Sequence, residues 1–254
     1  MIPKCPYCGK PYKKNPHILE GLPEFIKEKI TYIADCDCFD KIQEKELEEL
    51  EKKRVRECQL NRIKKFRDIS LTDNKFYNSK FENCEKNKLI IASCKYAKKF
   101  LEKIPPIGIL FSGVPGVGKT FASSCMANYL MEHNKTVMVM SLGLYLNKIF
   151  REWAEAENEV LGYVKECDLL IIDDLGTEKA SEFAIEKTFM LIDTRYRSQK
   201  PLVVTSNLTL QLIKQKFGSR IADRLAEMCY TINSIGESYR GKDTREKFTQ
   251  FMEG

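Results

Sequence analysis

The sequence predicts an α/β fold, a parallel β-sheet with helices on both faces. Three observations carry that prediction. The octapeptide Gly-Val-Pro-Gly-Val-Gly-Lys-Thr at 113–120 stands between a short apolar run, 107–111, and a helical stretch, 121–131. A second apolar run, 169–172, ends on two acids, Asp173 and Asp174. Strand-like and helix-like segments alternate along the rest of the chain, the pattern of a parallel sheet built through crossover helices.

The elements follow in order. Residues 1–40 hold four closely spaced cysteines and no clear periodicity. Residues 41–67 are dominated by Glu, Lys and Arg with a thin apolar scatter (Ile42, Leu47, Leu50, Val55, Leu60, Ile63), and Glu-to-Lys spacings support an exposed helix there. From about 68 the texture is α/β. Strands are expected at 107–111, 136–140, 168–173, 201–205 and 230–235; an apolar run ending in acid marks 168–173 as a central strand. Helices are expected at 121–131, 142–155, 157–166 and 181–198, the last with Ile185, Phe189, Ile192 and Tyr196 on one face. Two short helices, 210–216 and 219–228, are separated by Gly218.

The octapeptide fits G-x-x-x-x-G-K-[ST], a phosphate-binding loop. Its glycines let successive N–H groups point at phosphates. Lys119 puts a point charge on the β and γ phosphates, and Thr120 offers a hydroxyl to Mg²⁺. The helix that begins here turns its positive end to the same anion. Gly113, Val114, Pro115, Gly116, Val117, Gly118, Lys119, Thr120 and Phe121 are therefore the expected ATP-binding stretch.

A parallel strand delivers its C-terminal end beside such a loop. Asp173 there supplies a hard oxygen for Mg²⁺. Asp174 can orient or deprotonate the attacking water. Asn207, at the end of the next strand, has the chemistry to position that water or touch the γ-phosphate. Arg220 and Arg224, four apart, share a helix face, and Arg240 follows near the end; arginine can neutralise charge in phosphoryl transfer, often from a neighbouring subunit.

These features together resemble the AAA+ ATPases of the bacterial helicase-loader group, the DnaC and DnaI type, with the related IstB-like transposition helpers. The resemblance rests on 113–120, 169–176, 203–207, 220–225 and the Gly-Glu-Ser-Tyr-Arg of 236–240, and covers roughly 70–241. It implies that Asn207 is the sensor 1 residue, Arg224 the trans-acting arginine finger with Arg220 competing, and Arg240 the sensor 2 residue. Many AAA+ proteins carry Glu where this chain has Asp174, and the shorter carboxylate suits a slow switch better than a motor. Only 47 residues follow Asn207, too few for the helical lid of most AAA+ proteins. The expected fold is thus an AAA+ P-loop NTPase sheet without a lid, at 68–254, preceded by a small head at 1–40 and a charged linker helix at 41–67. Without a lid, a neighbouring subunit is expected to help hold the nucleotide, so self-assembly through the ATPase domain is expected too.

The head carries Cys5-Pro-Tyr-Cys8 and Cys36-Asp-Cys38. Four thiolates suit tetrahedral Zn²⁺. A segment of about 40 residues cannot build a core alone, so a structural metal would supply its stability. His17 is a possible substitute ligand and Cys58 a distant reserve; Cys84, Cys94, Cys125, Cys167 and Cys229 are dispersed and read as packing residues. A zinc head resembles the DnaI branch, where it contacts the replicative helicase. A zinc module that binds DNA directly is the other reading of this part.

Composition sets the outer bounds. At 43% hydrophobic and 31% charged residues with a net charge of +6, the chain suits a globular protein and is compatible with nucleic-acid binding. No stretch has the apolar length of a membrane span and the start lacks a signal-peptide core, so a cytoplasmic protein with no membrane partner is expected. Reduced, clustered cysteines then point to metal rather than disulfides. The expected function is an ATPase that loads the replicative helicase hexamer onto single-stranded DNA at replication initiation. Lys148, Arg151, Thr177 and Lys179 are the candidates to line a DNA channel. A transposition helper acting on duplex DNA is the related alternative. A small-molecule P-loop kinase is the alternative from another class, disfavoured by the paired acids, Asn207, the arginines and the cysteine head. A non-catalytic nucleotide-binding adaptor is separated from all of these by ATP turnover.

Overall fold

The computed structural model describes residues 2–17, 23–70, 77–83, 87–103, 107–234, 236, 238, 248–249 and 251–252. They form two compact units, Met1–Gln59 and Leu60–Gly254.

The first unit is a knuckle, a two-stranded ribbon and most of a long helix. The Cys5 N–H donates to the Lys10 carbonyl (2.8 Å) and the Gly9 N–H to the Cys5 carbonyl (2.9 Å), closing a turn around Cys5 and Cys8. β1 (Lys13–Lys14) pairs antiparallel with β2 (Tyr32–Ile33), Lys13 opposite Ile33. α1 (Glu24–Ile30) lies between them in sequence, and the Asn15 side chain donates to the Ile30 carbonyl (2.9 Å). α2 (Cys38–Asp68) starts on the fourth cysteine. Ion pairs one turn apart, Asp37–Lys41 (2.6 Å) and Glu48–Lys52 (3.6 Å), line its exposed length.

The expectation of an exposed connector or partner-binding helix rather than a core element needs correcting at the helix end. Ile63 and Phe66 on the last two turns of α2 are buried in the apolar clusters of the second unit. These two apolar side chains stand three apart among the charges of 62–68, so they share a face and anchor the helix end as core.

The second unit is a five-stranded sheet in the order β4-β5-β6-β3-β7, every neighbouring pair parallel. Its strands are β3 (Gly108–Gly113), β4 (Val137–Ser141), β5 (Leu169–Leu175), β6 (Leu202–Ser206) and β7 (Cys229–Ser234). Their side chains alternate between two apolar layers. Ile109, Phe111, Val137, Val139, Leu169, Ile171 and Val203 face one; Leu110, Met138, Met140, Leu170, Ile172, Leu202 and Val204 face the other. Burial on both faces explains why the strands read as continuous apolar runs. α3 (Lys88–Glu102) and α4 (Lys119–Glu132) supply the first layer. α5 (Leu142–Glu166), α6 (Glu182–Arg197), α7 (Leu210–Phe217) and α8 (Ser219–Met228) supply the second. At the β4 edge the Ser70 hydroxyl accepts the Val139 N–H (3.1 Å), blocking one free donor of an edge strand.

Two helices differ from the sequence reading. α3 had no counterpart in it, although Leu89, Ile90, Ser93, Ala97 and Phe100 make a buried helical face and Asn87 caps the start by accepting the Ile90 N–H (2.8 Å). The expected break near residue 156 does not occur. Tyr145, Ile149, Ala156, Val160 and Val164 continue one buried face, and no Gly or Pro stands between 144 and 161, so α5 runs through residue 156 as a single helix.

Arg195 on α6 is fully buried, and no ion pair to it is made among the described residues. Its Nε donates to the Pro201 carbonyl (3.0 Å), Nη1 to those of Val164 and Cys167 (both 2.8 Å), and Nη2 to Asp168 (2.7 Å) and Pro201 (2.8 Å). It ties the end of α5 to the approaches of β5 and β6. Five donors on a planar guanidinium can satisfy several carbonyls at once, and the C-terminal end of a helix favours a cation. Burial opposes the charge and lowers the guanidinium's affinity for its proton.

Candidate nucleotide and metal sites

The phosphate loop is built by three neighbouring segments. β3 ends at Gly113 and α4 opens at Lys119, so the first turn of the helix carries Lys119 and Thr120. Gly118, the residue before the helix, has φ 90°, a left-handed conformation that glycine adopts without a steric penalty. Lys119 is only 5% exposed. Its Nζ donates to the carbonyls of Gly113 (2.9 Å) and Val114 (2.8 Å) and to Asn207 Oδ1 (2.8 Å). Asn207, 88 residues downstream, is thereby brought onto the loop's cation.

Gly236 and Ser238, beyond β7 in sequence, also reach the loop. A Cβ added at Gly116 would lie 2.0 Å from Ser238 Oγ, and one at Gly236 would lie 4.0 Å from Val117 Cγ1. Ser238 therefore packs directly on the bare Gly116 backbone, which leaves no room for a side chain there. Arg240, two residues further on, lies outside the described residues.

The acidic strand end sits on the adjoining strand. Asp173 is buried at 8% exposure, paired in register with Ser141 of β4. Between Ile172 and Leu175 the β5–β6 register shifts, and Asp174 takes φ 56°. A left-handed Asp is a local irregularity that neighbouring contacts must hold. Thr205, fully buried on β6, donates its hydroxyl to Asp173 Oδ1 (2.7 Å) and accepts the Asp174 N–H (2.9 Å). Ser206 donates to the Leu175 carbonyl (2.6 Å), and Lys216 of α7 donates to that of Gly176 (2.6 Å). Thr205 was not among the expected site residues. Its signal was visible as a polar run, Thr-Ser-Asn, closing an apolar strand.

The arginines separate. Arg224 of α8 pairs with Asp193 of α6 (Nη2 to Oδ1, 2.5 Å) and stands over the rings of Phe189 (4.4 Å to the centroid) and Tyr196 (5.4 Å). Asp193 also pairs with Arg197 (2.8 Å). The side chain expected to reach a neighbouring subunit is thus held against its own chain, whereas Arg220 is exposed and enters no ion pair among the described residues. Of the DNA candidates, Lys148 pairs with Glu152 (3.2 Å) and Thr177 donates to the Asp174 carbonyl (3.1 Å); Arg151 and Lys179 are exposed.

In the first unit the ligand atoms of Cys5, Cys8, Cys36 and Cys38 all lie within 4.8 Å of one another. Tetrahedral zinc with Zn–S bonds of about 2.3 Å needs sulfurs roughly 3.8 Å apart, so the four thiols fit the ion. Backbone N–H groups of Cys8 and Tyr7 lower the Cys5 thiol to about 7, the first step towards a thiolate ligand. Cys38 is pushed up to about 12, chiefly by its hydrogen bond with Cys8 and by desolvation. Crowded thiols resist ionising together unless a cation neutralises them. His17 and Cys58 are not in this cluster. Elsewhere Cys125, Cys167 and Cys229 are buried and Cys94 half-buried; Cys84 lies outside the described residues.

The family model described as IstB-like ATP binding protein matches residues 25–247. The chain belongs to that family. Among curated relatives of this IstB-like chain, the replicative helicase loader DnaC of Buchnera aphidicola subsp. Acyrthosiphon pisum (strain APS) is 29% identical over 154 residues, covering 59% of this chain and 62% of the relative. The chain therefore spans somewhat less than two thirds of that relative's length. DnaC of Escherichia coli (strain K12) is 25% identical over 181 residues, covering 67% of this chain and 73% of the relative. A crystal structure of DnaI superposes with a TM-score of 0.57 at 22% identity, over 66% of this chain and 94% of that one. The AAA+ sheet expected from the motifs is the fold of this IstB-like chain. No helix among its described residues is long and apolar enough to cross a membrane.

Proposed function

We propose that the chain is an ATP-dependent loader of the replicative helicase hexamer onto single-stranded DNA, working as a slow, ATP-controlled oligomeric switch. One observation carries the reading: Lys119 at the start of α4, Asn207 just after β6 and the Asp173–Asp174 end of β5 lie at or beyond the C-terminal ends of neighbouring strands in a family fold, and curated relatives include proteins named replicative helicase loaders. In this reading, 113–121 hold ATP, and Thr120 and Asp173 hold Mg²⁺. Asp174 and Asn207 orient water against the γ-phosphate, where Lys119 offsets developing charge and Mg²⁺, when bound, would add to that positive charge. Arg240 serves as sensor 2. Arg224, or Arg220 from its more exposed position, completes a neighbour's site. Cys5, Cys8, Cys36 and Cys38 hold one Zn²⁺ that organises a helicase-contacting head, and Lys148, Arg151, Thr177 and Lys179 lie along the DNA.

The test is co-precipitation of the full chain with its cognate replicative helicase, with and without ATP, followed by helicase delivery to circular single-stranded DNA. ATP-dependent capture and delivery are expected. The resemblance to the IstB-like transposition helpers supports a second reading, a transposition helper. Nucleotide-dependent filaments on duplex DNA with capture of a transposase, and no helicase capture, would replace the first reading with the second.

A further inference from the structure

We propose that Thr205 is a positioning residue for Mg²⁺ and nucleotide, a hydroxyl that bonds both acids of the β5 end. The inference rests on the reading of Asp173 as a Mg²⁺ contact and deepens it. Thr205 is fully buried, so its hydroxyl has no solvent alternative. It has one hydrogen to donate, and that goes to Asp173 Oδ1 at 2.7 Å. It accepts the Asp174 N–H at 2.9 Å. The first bond fixes the plane of the Asp173 carboxylate. The second holds the peptide of Asp174 where the chain leaves the regular ladder, at φ 56° and with the register shifted between Ile172 and Leu175.

A threonine placed only for packing would not need both bonds at those two residues. Val203 and Val204, its strand neighbours, fill the two apolar layers with carbon alone. Thr205 instead spends its polar capacity on residues two strand ends must share. Outer partners of metal-ligating carboxylates set ligand orientation, and their loss costs about 10–100-fold in metal affinity or activity. The next two residues extend the pattern, since Ser206 bonds the Leu175 carbonyl (2.6 Å) and Asn207 bonds Lys119 (2.8 Å). The end of β6 therefore touches the acids, the turn after them and the phosphate-loop lysine in three consecutive residues.

The experiment uses the full chain with a fluorescent ATP analogue, in EDTA and across a Mg²⁺ titration, alongside phosphate release. Thr205→Val keeps the shape and removes both bonds. Binding in EDTA should stay within about twofold, while the Mg²⁺ concentration for half-maximal turnover should rise about 10–100-fold. Thr205→Ser retains the hydroxyl and should restore the wild-type Mg²⁺ dependence. An unchanged Mg²⁺ dependence in Thr205→Val overturns the proposal, as do equal losses in the Val and Ser variants. Should the Val variant not fold, Thr205→Cys is compared with Thr205→Ser: a weaker Mg²⁺ response in Cys is expected, and equality overturns the idea. Asp173→Asn is the control for the underlying reading. If it leaves Mg²⁺ dependence unchanged, that reading fails; if it shifts while Thr205→Val does not, only the role of Thr205 fails.

Discussion

The two units are held together by different physics. Among the described residues of Met1–Gln59, Cys5 is the only buried side chain, and Phe25, Phe39, Leu47 and Leu50 stand more than 60% exposed. In Leu60–Gly254, two apolar layers enclose all five strands. A unit without a core has no hydrophobic term to offset chain entropy and must depend on a cross-link or a metal. A unit with two layers can tolerate a buried charge such as Arg195, and can hold an irregular Asp174 at its site. The contrast predicts that metal removal and core mutation act on separate parts of the molecule.

The largest expected effect is on the head. Chelating zinc, or combining Cys5→Ser with Cys8→Ser, should abolish its tertiary order, read as protease cleavage within 1–40, while nucleotide binding is unchanged. Metal analysis should give about one zinc per chain before treatment. Loss of nucleotide binding together with zinc would break the separation of the two units.

Next comes Arg195→Met, which keeps much of the volume but orphans carbonyls at Val164, Cys167, Asp168 and Pro201. It should lower the stability of the ATPase unit by about 3–5 kcal/mol in urea unfolding. Zinc content should not change. A loss under about 1 kcal/mol would mean that water replaces the guanidinium at these carbonyls.

Lys119→Ala should weaken ATP binding roughly hundredfold through loss of charge-assisted bonds to phosphate, with stability changed by about 1 kcal/mol or less. Isothermal titration and thermal unfolding separate the two. Normal ATP affinity would remove the loop from the site.

The smallest effect concerns the arginine. Asp193 competes for Arg224 within the chain. If Arg224 serves a neighbouring site, Asp193→Asn should release it and raise turnover of the assembled protein, roughly fivefold for an ion pair worth about 1 kcal/mol. Mixing Lys119→Ala with Arg224→Ala protein should restore part of the activity. A fall in turnover on Asp193→Asn, with no recovery on mixing, would shift attention to Arg220.

Much of this was legible in the residues themselves. The spacing from Gly113 to Thr120, the acids after Leu169–Ile172 and the cysteine pairs state their chemistry locally, because each depends on a few adjacent atoms. Buried parallel strands announced themselves as apolar runs for the same reason. α3 was equally local in its pattern and simply lacked a motif to draw attention to it. Tertiary structure alone decided the rest. Nothing in the chain says that Asn207 meets Lys119, that Thr205 joins Asp173 to Asp174, that Arg224 folds back on Asp193, or that Arg195 is core. The pairings of Asn207, Thr205 and Arg224 lie 31–88 residues apart and depend on strand order and register. Side-chain type fixes what a residue can bond; only packing fixes which partner comes within 3 Å, because partner choice is set by the sheet and not by neighbours in sequence.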